Sequence, residues 1–186
     1  MKLVATDLAD VLIIETPVFG DDRGAFWESH HARKFDELGL HVQFVQDAVS
    51  RSRRNTVRGL HYQEPNAQGK LVGVVAGAIF DVAVDIRSDS PTFGKWATVE
   101  LSDSAGRFLW IPPGFAHGFL ALSDIATVTY KLTDFWSPTS EHGIRWNDPE
   151  IGIPWPVETP VMAPRDAALP LLRDAKILPR CEAAAR

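Results

Sequence analysis

Proline and glycine, thirteen of each, cut the apolar residues of this chain into short runs at fairly regular intervals. Helices need longer uninterrupted stretches, whereas short strands joined by turns tolerate such punctuation. The pattern therefore predicts an all-β sandwich or barrel. The plainest strand covers residues 79–86, where Phe80, Val82, Val84 and Ile86 alternate with Asp81, Ala83 and Asp85 at a period of two. Residues 126–132 alternate likewise, with Ala126, Val128, Tyr130 and Leu132 on one face and Thr127, Thr129 and Lys131 on the other. Residues 71–76 and 97–101 are rich in β-branched side chains, and 108–111 form an apolar run before two prolines. Helix is expected to be scarce, with a short one over residues 31–38, where Phe35 and Leu38 stand at helical spacing and Gly39 is a stop. The prolines after Trp155 predict a wrapping segment, then a short helix or a tail that is loose from about residue 171, with 183–186 frayed. No repeat or linker divides the sequence, so residues 1–186 are read as a single domain.

The overall balance excludes several classes of function. Hydrophobic residues at 45% and charged residues at 23% are those of a globular chain, not a disordered one. A net charge of -5 argues against a nucleic-acid partner. The basic run Arg51-Ser52-Arg53-Arg54 reads as a solvated loop, with a phosphate contact as the alternative. A lone cysteine, Cys181, permits no internal disulfide and suits a reducing cytoplasm. Asp7 interrupts the N-terminal stretch where a secretory peptide would need an apolar run. No segment approaches the ~20 apolar residues of a membrane span. A soluble cytoplasmic protein with no membrane partner is expected.

Several residues invite chemistry. In Arg58-Gly59-Leu60-His61-Tyr62-Gln63, glycine permits close approach by another backbone or a ligand. Strict alternation puts Val57, Gly59 and His61 on one face and Arg58, Leu60 and Tyr62 on the other. His61 is open to three readings: a base, a metal ligand or a hydrogen-bonded core residue. Lys70, at a strand start, is either a solvated edge residue or, if it faces the same cavity, a cation for an oxyanion. Pro112, Gly114 and His117 match P-x-G-x-x-H, the second half of a metal signature found in many cupins. The first half requires more donors than His61 followed by Tyr62 and Gln63 supplies, so no metal is expected. Tyr130 is either a core residue or a proton donor. Phe26, Trp27 and Trp136 are either core or a wall on which a flat ring stacks.

The motifs also occur in a particular order. Phe19-Gly20-Asp21-Asp22-Arg23-Gly24, Phe44-Val45-Gln46-Asp47, the His61 motif and Gln68-Gly69-Lys70-Leu71-Val72 come first. They are followed by Ser90-Pro91-Thr92-Phe93-Gly94-Lys95-Trp96, Gly114-Phe115-Ala116-His117-Gly118-Phe119, Trp146-Asn147-Asp148-Pro149 and Trp155-Pro156. Together they resemble the dTDP-4-dehydrorhamnose 3,5-epimerase family over roughly residues 1–175. The resemblance implies a cupin-type jelly-roll β-barrel with a few short helices, a homodimer, and neither metal nor cofactor. It implies a dTDP-4-dehydro-6-deoxyglucose substrate inverted at C3 and C5. His61 falls on the family's base, Tyr130 on its acid, Asp166 on the carboxylate that orients the base, and Lys70 on the cation near the ketone. Arg23, Glu28, Gln46, Arg58, His117, Glu141 and Arg165 fall on nucleotide- or sugar-binding positions, Arg23 and Glu28 reaching in from the partner subunit. Ala48 stands where the family often has asparagine. Trp136 stands where several members carry a second tyrosine; it keeps an aromatic wall but is no equivalent proton donor. A 3- or 5-monoepimerase, a non-catalytic sugar-nucleotide-binding barrel and a metal-dependent oxygenase stand as the alternatives.

Overall fold

A strand with apolar side chains on one face buries them only against another layer. The computed structural model describes residues 1–181 and meets this need with two facing sheets. The chain runs through β1 (Lys2–Ala5), β2 (Leu12–Glu15), a hairpin of β3 (Phe19–Asp21) and β4 (Gly24–Phe26), helix α1 (Ala32–Glu37), β5 (Gln46–Arg53) and β6 (Val57–Gln63). It continues through β7 (Lys70–Ala76), β8 (Ala78–Asp85), β9 (Trp96–Ser102), β10 (Arg107–Ile111) and β11 (Phe115–Ala121). β12 (Ile125–Leu132), β13 (Glu141–Gly143), helix α2 (Pro164–Ala167) and a 3-10 turn at Leu172–Asp174 complete it. One sheet has six strands in the order β1-β2-β10-β7-β12-β5, and the other five in the order β13-β6-β11-β8-β9. Val72, Leu109 and Val128 of the first meet Ile79, Ala83, Phe115 and Phe119 of the second in the main core. The result is the expected cupin-type jelly roll, with helix confined to short segments. The basic run lies at the end of β5 and the turn beyond it, where Arg51 and Arg53 are exposed and Ser52 between them is buried.

The alternation of β8 has both faces buried. Phe80, Val82 and Val84 pack outward beneath Ile144, Ile151, Trp155, Leu172 and Leu178. The other face, which carries Ala83, turns into the barrel and brings Asp81 and Asp85 with it, both at 0% exposure. Buried carboxylates persist only when paired. Asp85 accepts from Arg87 Nη2 at 2.7 Å, from Ser90 at 2.5 Å and from Thr92 at 2.6 Å. Asp81 accepts from a histidine described below.

The layer over β8 corrects the expectation of a tail loose from about residue 171. Leu172 N–H donates to Asp148 Oδ2 at 2.7 Å, the Tyr62 hydroxyl donates to the Ile177 carbonyl at 2.6 Å, and Ser88 N–H donates to the Pro179 carbonyl at 2.9 Å. Burying Leu172 and Leu178 against the outer face offsets the entropy of ordering this segment. Residues 183–186 lie outside the described residues.

A second correction concerns β6. His117 of β11 pairs with His61, but two residues further along β11, Phe119 pairs with Arg58 rather than with a residue two positions from His61. The extra residue is a β-bulge, and it reverses the facing of everything on one side of it. Arg58 therefore lines the same cavity as His61 instead of the opposite face. Gly59 makes the bulge possible: its φ is +110°, and a Cβ there would lie 2.6 Å from the His117 carbonyl oxygen.

Candidate active site

The two sheets part at one end around a cavity of about 480 Å³. Its walls include His61, Lys70, His117, Tyr130, Trp136, Glu141, Arg58, Arg165 and Asp166. The fold thus gathers nine of the twelve residues that the family resemblance singles out, drawn from strands of both sheets, from the loop between β12 and β13 and from α2.

His61 enters from β6, in the five-stranded sheet. Its Nε2 lies 2.9 Å from Asp166 Oδ1, and the two residues are 105 positions apart in sequence. The second carboxylate oxygen, Oδ2, accepts the Gly59 N–H at 3.2 Å. Burial alone would raise the Asp166 pKa, but the hydrogen bond and charge of His61 and the Gly59 N–H hold it below the usual carboxylate range. An anionic Asp166 keeps a proton on the ring nitrogen facing it, so the other nitrogen of a neutral His61 carries a free lone pair. The pairing thus fixes the ring in one tautomer.

Tyr130 and Lys70 come from the opposite wall, on the adjacent strands β12 and β7 of the six-stranded sheet. β7 lies inside that sheet, between β10 and β12, so Lys70 is no edge residue and is only 8% exposed. Burial pushes its pKa down to about 8, against the opposing charge of Glu141. Burial raises the Tyr130 phenol well above its ordinary value, and its hydroxyl lies 2.8 Å from Ser50 Oγ.

The rim is polar and aromatic. Arg165 Nη2 pairs with Glu141 Oε1 at 2.8 Å. Burial would raise Glu141, but the Arg165 bond and the nearby His61 and Arg165 charges leave it lowered. Trp136, 52% exposed, stands at the rim, and its N–H is taken by Gln46 Oε1 at 2.8 Å. Gln46 thus fixes the tryptophan backbone rather than projecting into the cavity. On the same face of β5, Ser52 Oγ accepts Arg58 Nε at 2.9 Å, so β5 supports the site as a row of positioning side chains. Ala48 lies between them, opposite Tyr130 in the strand register.

Three site residues escaped the sequence reading. Asp81 faces His117 Nε2 at 2.5 Å, giving the cavity a second imidazole–carboxylate pair. The available signal was an acidic residue among the apolar ones of β8, shared with Asp85. Ser50 and Ser52 carried none, since serine in a strand is unremarked until its partner across the sheet is known. Arg23 and Glu28, conversely, lie away from the cavity of their own chain. Arg23 sits in the turn of the exposed β3–β4 hairpin and bonds Asp21, while Glu28 pairs with Lys34. Trp27 packs in the small core beside α1, and Phe26 is exposed on the hairpin. Among the described residues, no group of three or more His, Cys, Asp or Glu side chains is arranged to hold a metal ion. No helix among them is long and apolar enough to cross a membrane.

Known proteins resemble this chain over most of its length. The sequence model of the family described as dTDP-4-dehydrorhamnose 3,5-epimerase matches residues 5–174. The Salmonella typhimurium dTDP-4-dehydrorhamnose 3,5-epimerase is 54% identical over 178 residues, covering 94% of this chain and 97% of that protein. A Streptomyces niveus dTDP-4-dehydrorhamnose 3-epimerase is 42% identical over 184 residues, covering 96% of this chain and 89% of that one. The crystal structure of a Legionella pneumophila dTDP-6-deoxy-D-glucose-3,5-epimerase, in complex with dTDP-4-keto-L-rhamnose, superposes with a TM-score of 0.93 at 49% identity. The match covers 98% of this chain and 99% of that one. This chain belongs to the dTDP-4-dehydrorhamnose 3,5-epimerase family.

Proposed function

We propose that the protein inverts C3 and C5 of dTDP-4-dehydro-6-deoxy-D-glucose to give dTDP-4-dehydro-L-rhamnose, a step of dTDP-L-rhamnose biosynthesis. One observation carries the reading: the His61–Asp166 pair and Tyr130 face one cavity from opposite sheets. Inversion at carbon requires a proton to leave one face of the sugar and another to arrive on the opposite face. A cavity that only bound the nucleotide would need neither group.

The C4 ketone acidifies the hydrogens on C3 and C5, since loss of either gives an enolate. His61 takes the proton, Lys70 stabilises the enolate oxygen, and Tyr130 returns a proton from the other wall. Arg58 and Arg165 line the same cavity and suit the diphosphate, because guanidinium offers forked donors to phosphate oxygens. Trp136 at the rim offers a flat face for a ring. Incubating the protein with dTDP-4-dehydro-6-deoxy-D-glucose in heavy water tests the whole reading. Deuterium at both C3 and C5 of an L-lyxo product is expected; inversion at one carbon alone would identify a monoepimerase, which the identity to double epimerases disfavours.

The charge of Lys70 adds a pH signature. With its pKa lowered to about 8, Lys70 is cationic below that pH and neutral above it, so oxyanion stabilisation is lost as pH rises. The kcat/KM profile should fall through about pH 8, and Lys70→Arg, which keeps its charge, should move that limb upward. An unmoved limb would assign it to another group.

The working unit is a homodimer in the cytoplasm. The β3–β4 hairpin supports the dimer, since it exposes Phe19 at 65% and Phe26 at 66% and carries Arg23 away from its own cavity. A second copy receiving the hairpin would bury both rings. Light scattering reporting a monomer at assay concentration would refute this. The lone Cys181 supports the compartment, and recovery of the protein from a periplasmic fraction would contradict it.

A further inference from the structure

Each inversion leaves the site out of balance by one proton: His61 has gained one and Tyr130 has lost one. The two side chains stand on opposite walls with the sugar between them, so the proton cannot pass directly back. Yet Tyr130 must be reloaded before the next inversion, and a double epimerisation needs this before the substrate leaves. Among the described residues, the Tyr130 hydroxyl has a single hydrogen-bond partner, Ser50 Oγ at 2.8 Å. Ser50 is only partly buried and lines the cavity from β5, the last strand of its sheet. The His117 ring centroid lies 6.2 Å from that of Tyr130 and also lines the cavity, but among the described residues only the serine hydroxyl is hydrogen-bonded to the phenol.

We infer that Ser50 is the relay through which Tyr130 recovers its proton after every inversion. The inference rests on the reading of Tyr130 as the acid. In the step, the Tyr130 O–H bond breaks as the new C–H bond forms, leaving a tyrosinate. The Ser50 O–H proton moves to that oxygen while a water molecule gives its proton to Ser50 Oγ. The hydroxide so formed is neutralised by the proton that His61 releases, and no net proton is consumed. The raised pKa of the buried phenol favours this return, because a tyrosinate there is a strong base.

The test is rapid-quench kinetics of Ser50→Ala with dTDP-4-dehydro-6-deoxy-D-glucose at active-site concentrations. The resident Tyr130 proton should give a burst of one inverted carbon per site at the native rate. Turnover afterwards should fall roughly 10²-fold, at the low end of what a proton-transfer group contributes, and Ser50→Thr should restore it. The pair Ser50→Thr and Ser50→Val makes the same comparison with β-favouring side chains should the alanine variant fail to fold. Native steady-state turnover in Ser50→Ala or Ser50→Val overturns the relay. A burst slowed as much as the steady state also overturns it, since Ser50 would then only orient the phenol. Failure of the acid reading looks different: Tyr130→Phe itself would invert at the native rate.

Discussion

A His61→Ala variant is expected to lose both inversion and exchange of the C3 and C5 hydrogens with heavy water. Binding of dTDP should stay near native. Among the described residues, the other imidazole lining the cavity is His117, and its side chain is 5% exposed against 29% for His61, too deep to replace the base. The loss should therefore lie toward the upper end of the ~10²–10⁴-fold range of a general base. Removing the ring also leaves Asp166 with only the Gly59 N–H, an uncompensated buried charge. His61→Gln separates the two effects, because its amide can still donate to Asp166 while offering no base. Native-rate exchange in either variant, measured by proton NMR, would remove His61 from the mechanism.

Replacing Tyr130 by Phe is expected to split what His61→Ala abolishes together. His61 still removes the proton and can return a deuteron to the same face, so exchange continues in heavy water. Inversion should drop by ~10²–10⁴-fold, because the opposite wall no longer supplies an acid. The substitution removes one oxygen from a side chain packed against the main core, so folding should be nearly unaffected. Ser50 alone loses its partner, and it lies where the cavity can hydrate it. The outcome to watch is the ratio of exchange to inversion. A native ratio would mean that Tyr130 is not the acid, and that protonation reaches the second face another way.

These two variants probe residues that were unequally legible. Tyr130 stands in a clean alternation, and the structure keeps its neighbours on the expected faces of β12. His61 was legible as a residue type but ambiguous as a role, because its meaning depends on a carboxylate 105 positions away. Asp166 was legible only through resemblance; nothing local marks the aspartate of Pro164-Arg165-Asp166 as a partner of β6. Asp81 offered no more than its charge in an apolar strand, and Ser50 offered nothing. Each acquires a role only from the residue it meets on a neighbouring strand or helix.

The sequence by itself determined the all-β character, most strand positions and the family. Those depend on local facts: alternation at a period of two, turn residues between runs, and motifs in fixed order. The tertiary structure alone decided which way the residues face and how deep they lie. A one-residue bulge at Gly59 turns Arg58 toward the cavity, because every side chain beyond an inserted residue changes face. Lys70 is buried because β7 lies inside its sheet, and that burial lowers its pKa to about 8. The tail is held because the outer face of β8 is apolar and must be covered. Burial depth and pairing across a closed barrel are properties of the whole packed chain, so no short window of residues encodes them.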